Sequence, residues 1–258
     1  MTRVAKSSTK SKTRLDQLLV DRGLAESRAK AQALVMAGVV YSGDKPMRSP
    51  GASVQTDMEL AVKGPDHPWV SRGGLKLAHG LEHFGFDARD RVCIDVGAST
   101  GGFTDVLLTN GAAKVYAVDV GYGQLAHKLR TDSRVVVLER TNARNLDVSQ
   151  VPEPAGAVVC DASFIGLRTV LPAALELTAP GAWLIALIKP QFEVGKGRVG
   201  KKGVVRDPDL HKEVCDTISS WLSELPGWTV AGLAQSPITG PEGNIEFLIG
   251  ACKDKAAK

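Results

Sequence analysis

Residues 91–103 read Arg91-Val92-Cys93-Ile94-Asp95-Val96-Gly97-Ala98-Ser99-Thr100-Gly101-Gly102-Phe103, and their reading decides the fold. The first six residues form a short apolar run of strand character. Small residues follow and lead directly into FTDVLLTN, a helical segment stopped by Gly111. Small residues at such a turn let a ligand approach the backbone, and a helix that opens there offers N–H groups without partners. Gly97 and Gly101 are four apart, so the spacing is not G-x-G-x-x-G, and no G-K-[ST] follows to make a phosphate loop.

Outward from this turn the pattern repeats. KVYAVDV (114–120), RVVVLE (134–139), GAVVCDAS (156–163) and AWLIALIK (182–189) are further strand-like runs. After the fifth strand, Asp207-Pro208 reads as an N-cap with proline at the first helical position. Leu210, Val214, Ile218, Trp221, Leu222 and Leu225 then form one apolar stripe. WTVAGLAQ and IEFLIGAC give two closing strands. Near-continuous apolar strands alternating with helices predict an α/β, Rossmann-like fold, a doubly wound and mostly parallel sheet buried on both faces.

The residues before it follow a different pattern. With 258 residues, the chain is long enough for two domains. Residues 1–12 read as a flexible basic tail. Leu15, Leu18 and Leu19 start a helix near Arg14 that Gly23 stops, and ESRAKAQALVMAG gives a second helix capped by Ser27, with Arg28 and Lys30 at its start. VVYS and SVQTDMELAV read as two short strands. The expected organisation is a small α+β domain over 13–63, a linker over 64–72 (GPDHPWVSR), the larger domain over 73–252 and a tail over 253–258. Residues 1–63 hold 11 basic and 6 acidic residues, while the whole chain carries a net charge of +4. The entire surplus therefore lies in the first quarter, which suits a polyanion-binding attachment.

Composition excludes several classes. Charged residues are 23% and the apolar set 43%, ordinary for a globular chain and unlike disordered or collagenous ones. The longest apolar run, Ala182 to Ile188, is far below the ~20 residues of a membrane span, and the basic N-terminus has no apolar segment behind it to make a signal peptide. Cys93, Cys160, Cys215 and Cys252 are widely spaced, which predicts reduced thiols in a cytoplasmic protein and no metal site.

Ligands of open parallel sheets bind beyond the C-terminal ends of the strands. Asp119, 22 positions after Gly97, stands where it can accept hydrogen bonds from ribose hydroxyls. This arrangement suits S-adenosylmethionine better than a dinucleotide, and Asp95 at the strand tip disfavours a diphosphate. A dinucleotide oxidoreductase and a ligand-free turn remain open. Asp161 ends the fourth strand, Lys189 the fifth, Glu246 opens the last, and Lys76 lies on the helical string RGGLKLAHGL. A lysine closing a buried strand is costly to desolvate without a task or partner. Two lysines and two carboxylates suit methylation of a sugar hydroxyl. One lysine, its pKa lowered by burial and by the second cation, removes the proton, and the other stabilises developing alkoxide. The carboxylates hold both. The competing readings are a helix N-cap for Asp161, an edge-strand charge for Glu246 and a solvated helix position for Lys76. Lys196, Arg198, Lys201, Lys202 and Arg206, interleaved with four glycines, form a cationic loop suited to a phosphate backbone.

The strings WVSRGGLKL, DVGASTGGFTDVLL, AVDVGYGQL, RTNAR, DASFI, IKPQFEVGKG and GNIEF together resemble the hemolysin-A (TlyA) family of ribosomal RNA methyltransferases. The N-terminal fifty residues resemble the S-four RNA-binding module, and the larger domain resembles FtsJ-type 2′-O-methyltransferases. The Lys-Asp-Lys-Glu tetrad of those enzymes matches Lys76, Asp161, Lys189 and Glu246. The resemblance implies methyl transfer from S-adenosylmethionine to the 2′-hydroxyl of cytidine in ribosomal RNA. It implies donor contacts from Gly97, Ala98, Ser99, Gly101, Gly102, Asp119, Asn142 and Asp161, with which Asp95 is grouped. RNA contacts are expected from Arg14, Arg28, Lys30, Lys196, Arg198, Lys201, Lys202 and Arg206. Because the chain stops soon after its last strand, the large ribosomal subunit is the expected substrate. The rivals are a non-catalytic RNA-binding assembly factor, a small-molecule O-methyltransferase, whose activity would not respond to salt, and a cytolysin, for which the sequence offers no spanning segment.

Overall fold

The computed structural model describes residues 11–36, 38–62, 67–195, 197–200, 203–240 and 243–255. Its contacts divide the chain into two compact units, Met1–Pro68 and Trp69–Lys258.

In the first unit, β1 (Lys12–Arg14) is followed by α1 (Leu15–Asp21), α2 (Arg28–Met36), β2 (Val40–Ser42), β3 (Lys45–Pro46), β4 (Ser53–Gln55) and β5 (Ala61–Val62). Leu15, Leu18 and Leu19 face Ala31 and Val35 across the two helices, and Val40 and Val54 complete the core. Ser27 Oγ accepts from Lys30 N, as an N-cap should. Two expectations change. Ser11 and Lys12 are not tail: Lys12–Arg14 pairs antiparallel with Ser53–Gln55, and Ser11 O accepts from Thr56 N. The run SVQTDMELAV is not one strand but two, β4 pairing β1 and β5 pairing β2. Arg22 explains the break, because its guanidinium donates to Thr56 O and Met58 O and satisfies carbonyls that a continuous ladder would otherwise use.

The second unit begins at Trp69. Its elements are α3 (Gly73–Phe84), β6 (Val92–Val96), α4 (Gly102–Thr109), β7 (Lys114–Val118), α5 (His127–Arg130), β8 (Val135–Leu138), β9 (Ala155–Cys160), α6 (Leu167–Val170), α7 (Pro172–Glu176), β10 (Thr178–Ile188), α8 (Pro190–Glu193), α9 (Pro208–Glu224), β11 (Trp228–Gln235) and β12 (Phe247–Lys253). The seven strands form one sheet in the order β11-β12-β10-β9-β6-β7-β8. β6 to β10 are parallel, and β12 runs antiparallel between β10 and β11. This is the expected α/β, doubly wound, mostly parallel sheet.

Two apolar layers cover the sheet. On one face α9 buries Val214, Ile218 and Leu222 against Ile249 and Ala251, each large side chain contributing roughly 1.5–3 kcal/mol. Asp207 caps that helix by accepting from Asp209 N, with proline at its first position. On the other face Leu77 and Leu81 of α3 and Val106 and Leu107 of α4 pack over Cys93, Val115 and Ile185. Trp69 and Val70, in the expected linker, pack against this second layer. The strand order reverses between β6 and β9, and at such a switch point the two connecting loops splay apart and leave a crevice. Asp95-Val96 and Cys160-Asp161 end at that point.

Candidate active site

Four charged side chains from distant parts of the sequence meet beside this crevice. Asp161 directly follows β9, Lys189 directly follows the neighbouring β10, Glu246 precedes β12 on the far side of β10, and Lys76 reaches in from α3. Lys76 Nζ stands 2.7 Å from Glu246 Oε2 and 3.3 Å from Asp161 Oδ2. Lys189 Nζ stands 2.6 Å from Asp161 Oδ1 and also donates to Asp161 O at 3.0 Å and Ser163 Oγ at 2.9 Å. The order is therefore Glu246–Lys76–Asp161–Lys189, with Lys76, Lys189 and Glu246 buried. The competing readings fall away on geometry. Lys76 is not solvated, Glu246 precedes an interior strand, and Asp161 serves two ammonium groups rather than a helix terminus.

Buried charges persist only when paired: Lys76 donates to Glu246 Oε2 and Asp161 Oδ2, while Glu246 Oε1 and Asp161 Oδ1 accept no hydrogen bond. A side chain at Gly240 would put its Cβ 2.2 Å from Glu246 Oε1, so a glycine lets that carboxylate lie against the backbone. The Glu246 carbonyl accepts from Ser236 N.

Two cavities open here. The first, about 410 Å³, is lined by Ser71, Arg72, Lys76, Gly97, Ala98, Ser99, Gly102, Asp161, Ser163, Lys189 and Gly240. The second, about 450 Å³, is lined by Val96, Gly97, Ser99, Val118, Asp119, Asn142, Asp161, Ser163, Phe164 and Ile165. Gly97, Ser99, Asp161 and Ser163 belong to both, so the cavities meet at the strand ends. Gly97 has φ +82°, and its missing Cβ would lie 2.9 Å from the backbone of Ala162. Only glycine allows the two strand ends to approach so closely. Gly102 likewise leaves room for Ser71 Oγ, 2.3 Å from where a Cβ would stand.

The predicted donor-binding residues divide. Gly97, Ala98, Ser99 and Gly102 line the first cavity, and Asp119 and Asn142 line the second. Asp119 accepts from Ser99 N and Gly121 N, both at 2.7 Å, which fixes its carboxylate at the cavity wall. Asn142 Oδ1 accepts from Arg144 N. Two residues differ from expectation. Gly101 lines neither cavity; it packs over Leu125 and Leu129 as the N-cap of α4. Asp95 lines neither as well. It lies completely buried beneath the turn and accepts from Thr104 Oγ1 at 2.6 Å, while its Oδ1 has no partner. Burial pushes its carboxyl up to about 7, and the charges of Asp161 and Asp119 add to this against the Thr104 hydrogen bond.

Sequence reasoning missed Ser163 and Phe164, although both stand in the quoted string DASFI. Phe164 is 90% exposed at the cavity wall with φ +66°, a conformation that is strained for a bulky residue. Its ring lies 5.2 Å from that of Phe192.

The predicted RNA-facing residues lie elsewhere. Arg14 and Arg28 are half-exposed around buried Asp16, and Lys30 is exposed. Arg198 is held by Glu213 through two hydrogen bonds of 2.5 and 2.6 Å. Arg206 is exposed beside a separate cleft with His211 and Phe247. Lys196, Lys201 and Lys202 lie outside the described residues. Cys93, Cys160 and Cys215 are buried thiols and Cys252 is exposed. Among the described residues no cluster of His, Cys, Asp and Glu has the arrangement of a metal site, and no helix is long and apolar enough to cross a membrane.

Comparison with known proteins accounts for this geometry. Residues 69–253 match the model of the FtsJ-like methyltransferases. The chain belongs to the FtsJ-like methyltransferase family. Residues 13–60 of this family member match the S4 domain. The Bacillus subtilis protein YqxC, named for rRNA methyltransferase activity, is 51% identical over 243 residues, covering 93% of this chain and 86% of its own. The 16S/23S rRNA (cytidine-2′-O)-methyltransferase TlyA of Mycobacterium tuberculosis is 48% identical, covering 92% of this chain and 89% of its own. A solved structure from Streptococcus thermophilus that carries a hemolysin name superposes with a TM-score of 0.74 at 42% identity, covering 95% of this chain and 90% of that one. The FtsJ-like match thus spans all but the last five residues of the unit that holds the tetrad.

Proposed function

We infer that this methyltransferase acts on the ribose 2′-hydroxyl of a cytidine in ribosomal RNA, with S-adenosylmethionine as donor. The observation that carries the reading is the continuous Glu246–Lys76–Asp161–Lys189 ion-pair chain at the wall of the first cavity.

The residues present fit the donor. The second cavity combines apolar walls (Val96, Val118, Ile165) with the Asp119 carboxylate and the Asn142 amide, a composition suited to a nucleoside. Both Asp119 oxygens retain a lone pair beyond the N–H group each already accepts from. The glycine-lined turn leads from there to the tetrad. S-adenosylmethionine, when bound, supplies a methyl group made electrophilic by a positively charged sulfur.

The protein's own work concerns a proton. A sugar hydroxyl is a weak nucleophile until its proton is taken. Lys189 Nζ donates to Asp161 O and to the exposed hydroxyl of Ser163, and its charge is paired with Asp161 Oδ1. An acceptor hydroxyl displaces Ser163 Oγ from that place. Once Lys189 has released one ammonium proton to solvent through the open cavity, the lone pair at Nζ takes the hydroxyl proton as the oxygen attacks, and the ammonium ion so restored pairs again with Asp161. Lys76, held as an ammonium by Glu246 and Asp161, offsets the negative charge that grows on the oxygen. Phe164 offers an exposed ring for the acceptor's base, since RNA-modifying sites stack unpaired bases on aromatic side chains. The S4 unit, with Arg14, Arg28 and Lys30, and the loop containing Arg206 bind flanking phosphates. The site of action is the cytoplasm, on ribosomal subunits.

The test is transfer of labelled methyl groups to purified ribosomal subunits, with the product digested and mapped. Label is expected in 2′-O-methylcytidine of ribosomal RNA. Label on a base, or none, would overturn the reading.

A further inference from the structure

The buried side chain of Asn244 belongs to neither cavity nor to the tetrad, yet it joins three parts of the site. Its Nδ2 donates to Gly203 O at 3.0 Å, its Oδ1 accepts from Val205 N at 3.1 Å, and its backbone carbonyl accepts from Gly240 N at 2.9 Å. Gly203 and Val205 lie at the base of the cationic loop. Gly240 is the residue against which the Glu246 carboxylate rests, and Glu246 itself is two residues further along. Asn244 is only 3% exposed.

A single neutral amide satisfies a donor and an acceptor of the same loop. Its sequence, Gly195 to Arg206, contains four glycines, of which Gly195, Gly197 and Gly203 have positive φ. Glycine loses more conformational freedom on ordering than any other residue, so order must come from anchors. Those in the described residues include the turn from Gly200 N to Val204 O and from Gly203 N to Gly200 O, the Arg198–Glu213 pair near its start, and, near its end, buried Val204 and Val205, the His211 Nε2 bond with Val205 O and the two Asn244 bonds. Of these, Asn244 is also tied by its own carbonyl to Gly240, the residue against which the Glu246 carboxylate rests. An alanine there would leave the buried Val205 N–H without its partner and release the Gly203 carbonyl.

We propose that Asn244 is a positioning residue that couples RNA engagement by the cationic loop to the placement of Glu246, and through it of Lys76. This rests on the RNA-methyltransferase reading and deepens it. When phosphates draw on Arg206, the loop base moves or stiffens. Asn244 carries that change to Gly240 and hence to the Glu246–Lys76 end of the tetrad.

The test is a double-mutant cycle in turnover, with full-length protein, S-adenosylmethionine and ribosomal subunits. Asn244→Ala is expected to lower kcat at least tenfold while leaving donor affinity within about twofold, since Asn244 lines neither cavity and its backbone bond to Gly240 survives the substitution. Arg206→Ala is expected to lower kcat several-fold in the wild-type background and to add nothing on top of Asn244→Ala. Independent, additive effects of the two substitutions on kcat would overturn the coupling, as would an Asn244→Ala enzyme with wild-type kcat. If Asn244→Ala does not fold, the same cycle with Asn244→Asp serves, because it keeps the acceptor for Val205 N and loses the donor to Gly203 O. Wild-type protein alone gives a further measure. Hydrogen exchange of the Val205 amide is expected to slow several-fold when RNA binds, and unchanged exchange would overturn the proposal. Wild-type protein that methylates no RNA would instead refute the proposed function.

Discussion

Two aspartates, one in each unit, each hold two cations, and they do so to opposite ends. Asp16, on α1, accepts from Arg14 at 3.0 and 2.8 Å, from Gln32 at 2.9 Å and from Arg28 at 3.4 Å. Its carboxyl is held well below the usual range, first by the hydrogen bonds from Arg14 and Gln32. The arginine side chains around it remain 51% and 52% exposed. Asp161 also binds two cations, but Lys76 and Lys189 are only 9% and 8% exposed. The difference lies in the cations. A guanidinium has five N–H donors, so it can spend some on a carboxylate and present the rest outward, whereas an ammonium is a compact charge that the fold can enclose entirely. On the proposed function, the first arrangement displays charge to a polyanion, and the second withholds charge from water until a substrate hydroxyl arrives.

The largest expected effect is at the enclosed pair. Lys189→Ala should cut methyl transfer by ~10²–10⁴-fold, the usual value of a positioned proton acceptor, with donor affinity nearly unchanged by titration calorimetry. A variant that still turned over at wild-type rate would mean that this lysine takes no proton. Next comes stability. Glu246→Gln removes the closer partner of buried Lys76 and should cost about 3–5 kcal/mol in urea unfolding, as when one member of a buried ion pair is lost. Asp16→Asn should shift the urea midpoint far less, because its arginines are already in contact with water. Equal losses at the two sites would erase the distinction.

Much of this was legible in the chain and some was not, for physical reasons. The strand runs and the Asp207-Pro208 cap are local signals, and all seven strands of the sheet lie where the apolar runs stand. Lys189 stood out because an ammonium at the end of a buried strand must have a partner. The break in SVQTDMELAV was hidden because it depends on Arg22, more than thirty residues away. Asp95 was misjudged because position at a strand tip does not tell which way a carboxylate points. Only the packing of α4 shows that it turns to Thr104 rather than to the cavity. Asn244 carries no motif of its own, since an amide that bridges two loops is defined wholly by what the fold brings to it.

Asp95 offers a third way to sharpen the contrast, since it is a buried carboxyl with no cation at all. Its carboxyl titrates near 7 in the folded protein and near 4 when unfolded. A raised value means that its favourable contribution is complete below about pH 4 and is lost as pH climbs through about 7, where the buried group ionises. Asp95→Asn keeps the shape and removes the ionisation. Between pH 4 and 8, wild-type stability is therefore expected to fall relative to the variant, by up to about 4 kcal/mol. Parallel curves would show that the carboxyl does not titrate in that range.

The smallest effect separates display of charge from charge alone. Arg14→Ala should weaken RNA binding a few-fold and reduce the slope of log affinity against log salt by ~1, as for one lost phosphate contact. Asp16→Asn is the sharper case. It removes a negative charge and keeps both arginines, so net charge alone would make RNA bind more tightly. If Asp16 instead sets the direction in which Arg14 and Arg28 present their free N–H groups, binding weakens at low salt although the protein has become more positive. Fluorescence anisotropy with a ribosomal RNA fragment across a salt series distinguishes the two. Tighter binding by Asp16→Asn would mean that the first unit offers RNA only a charge, without the aimed guanidinium pair that makes Asp16 the counterpart of Asp161.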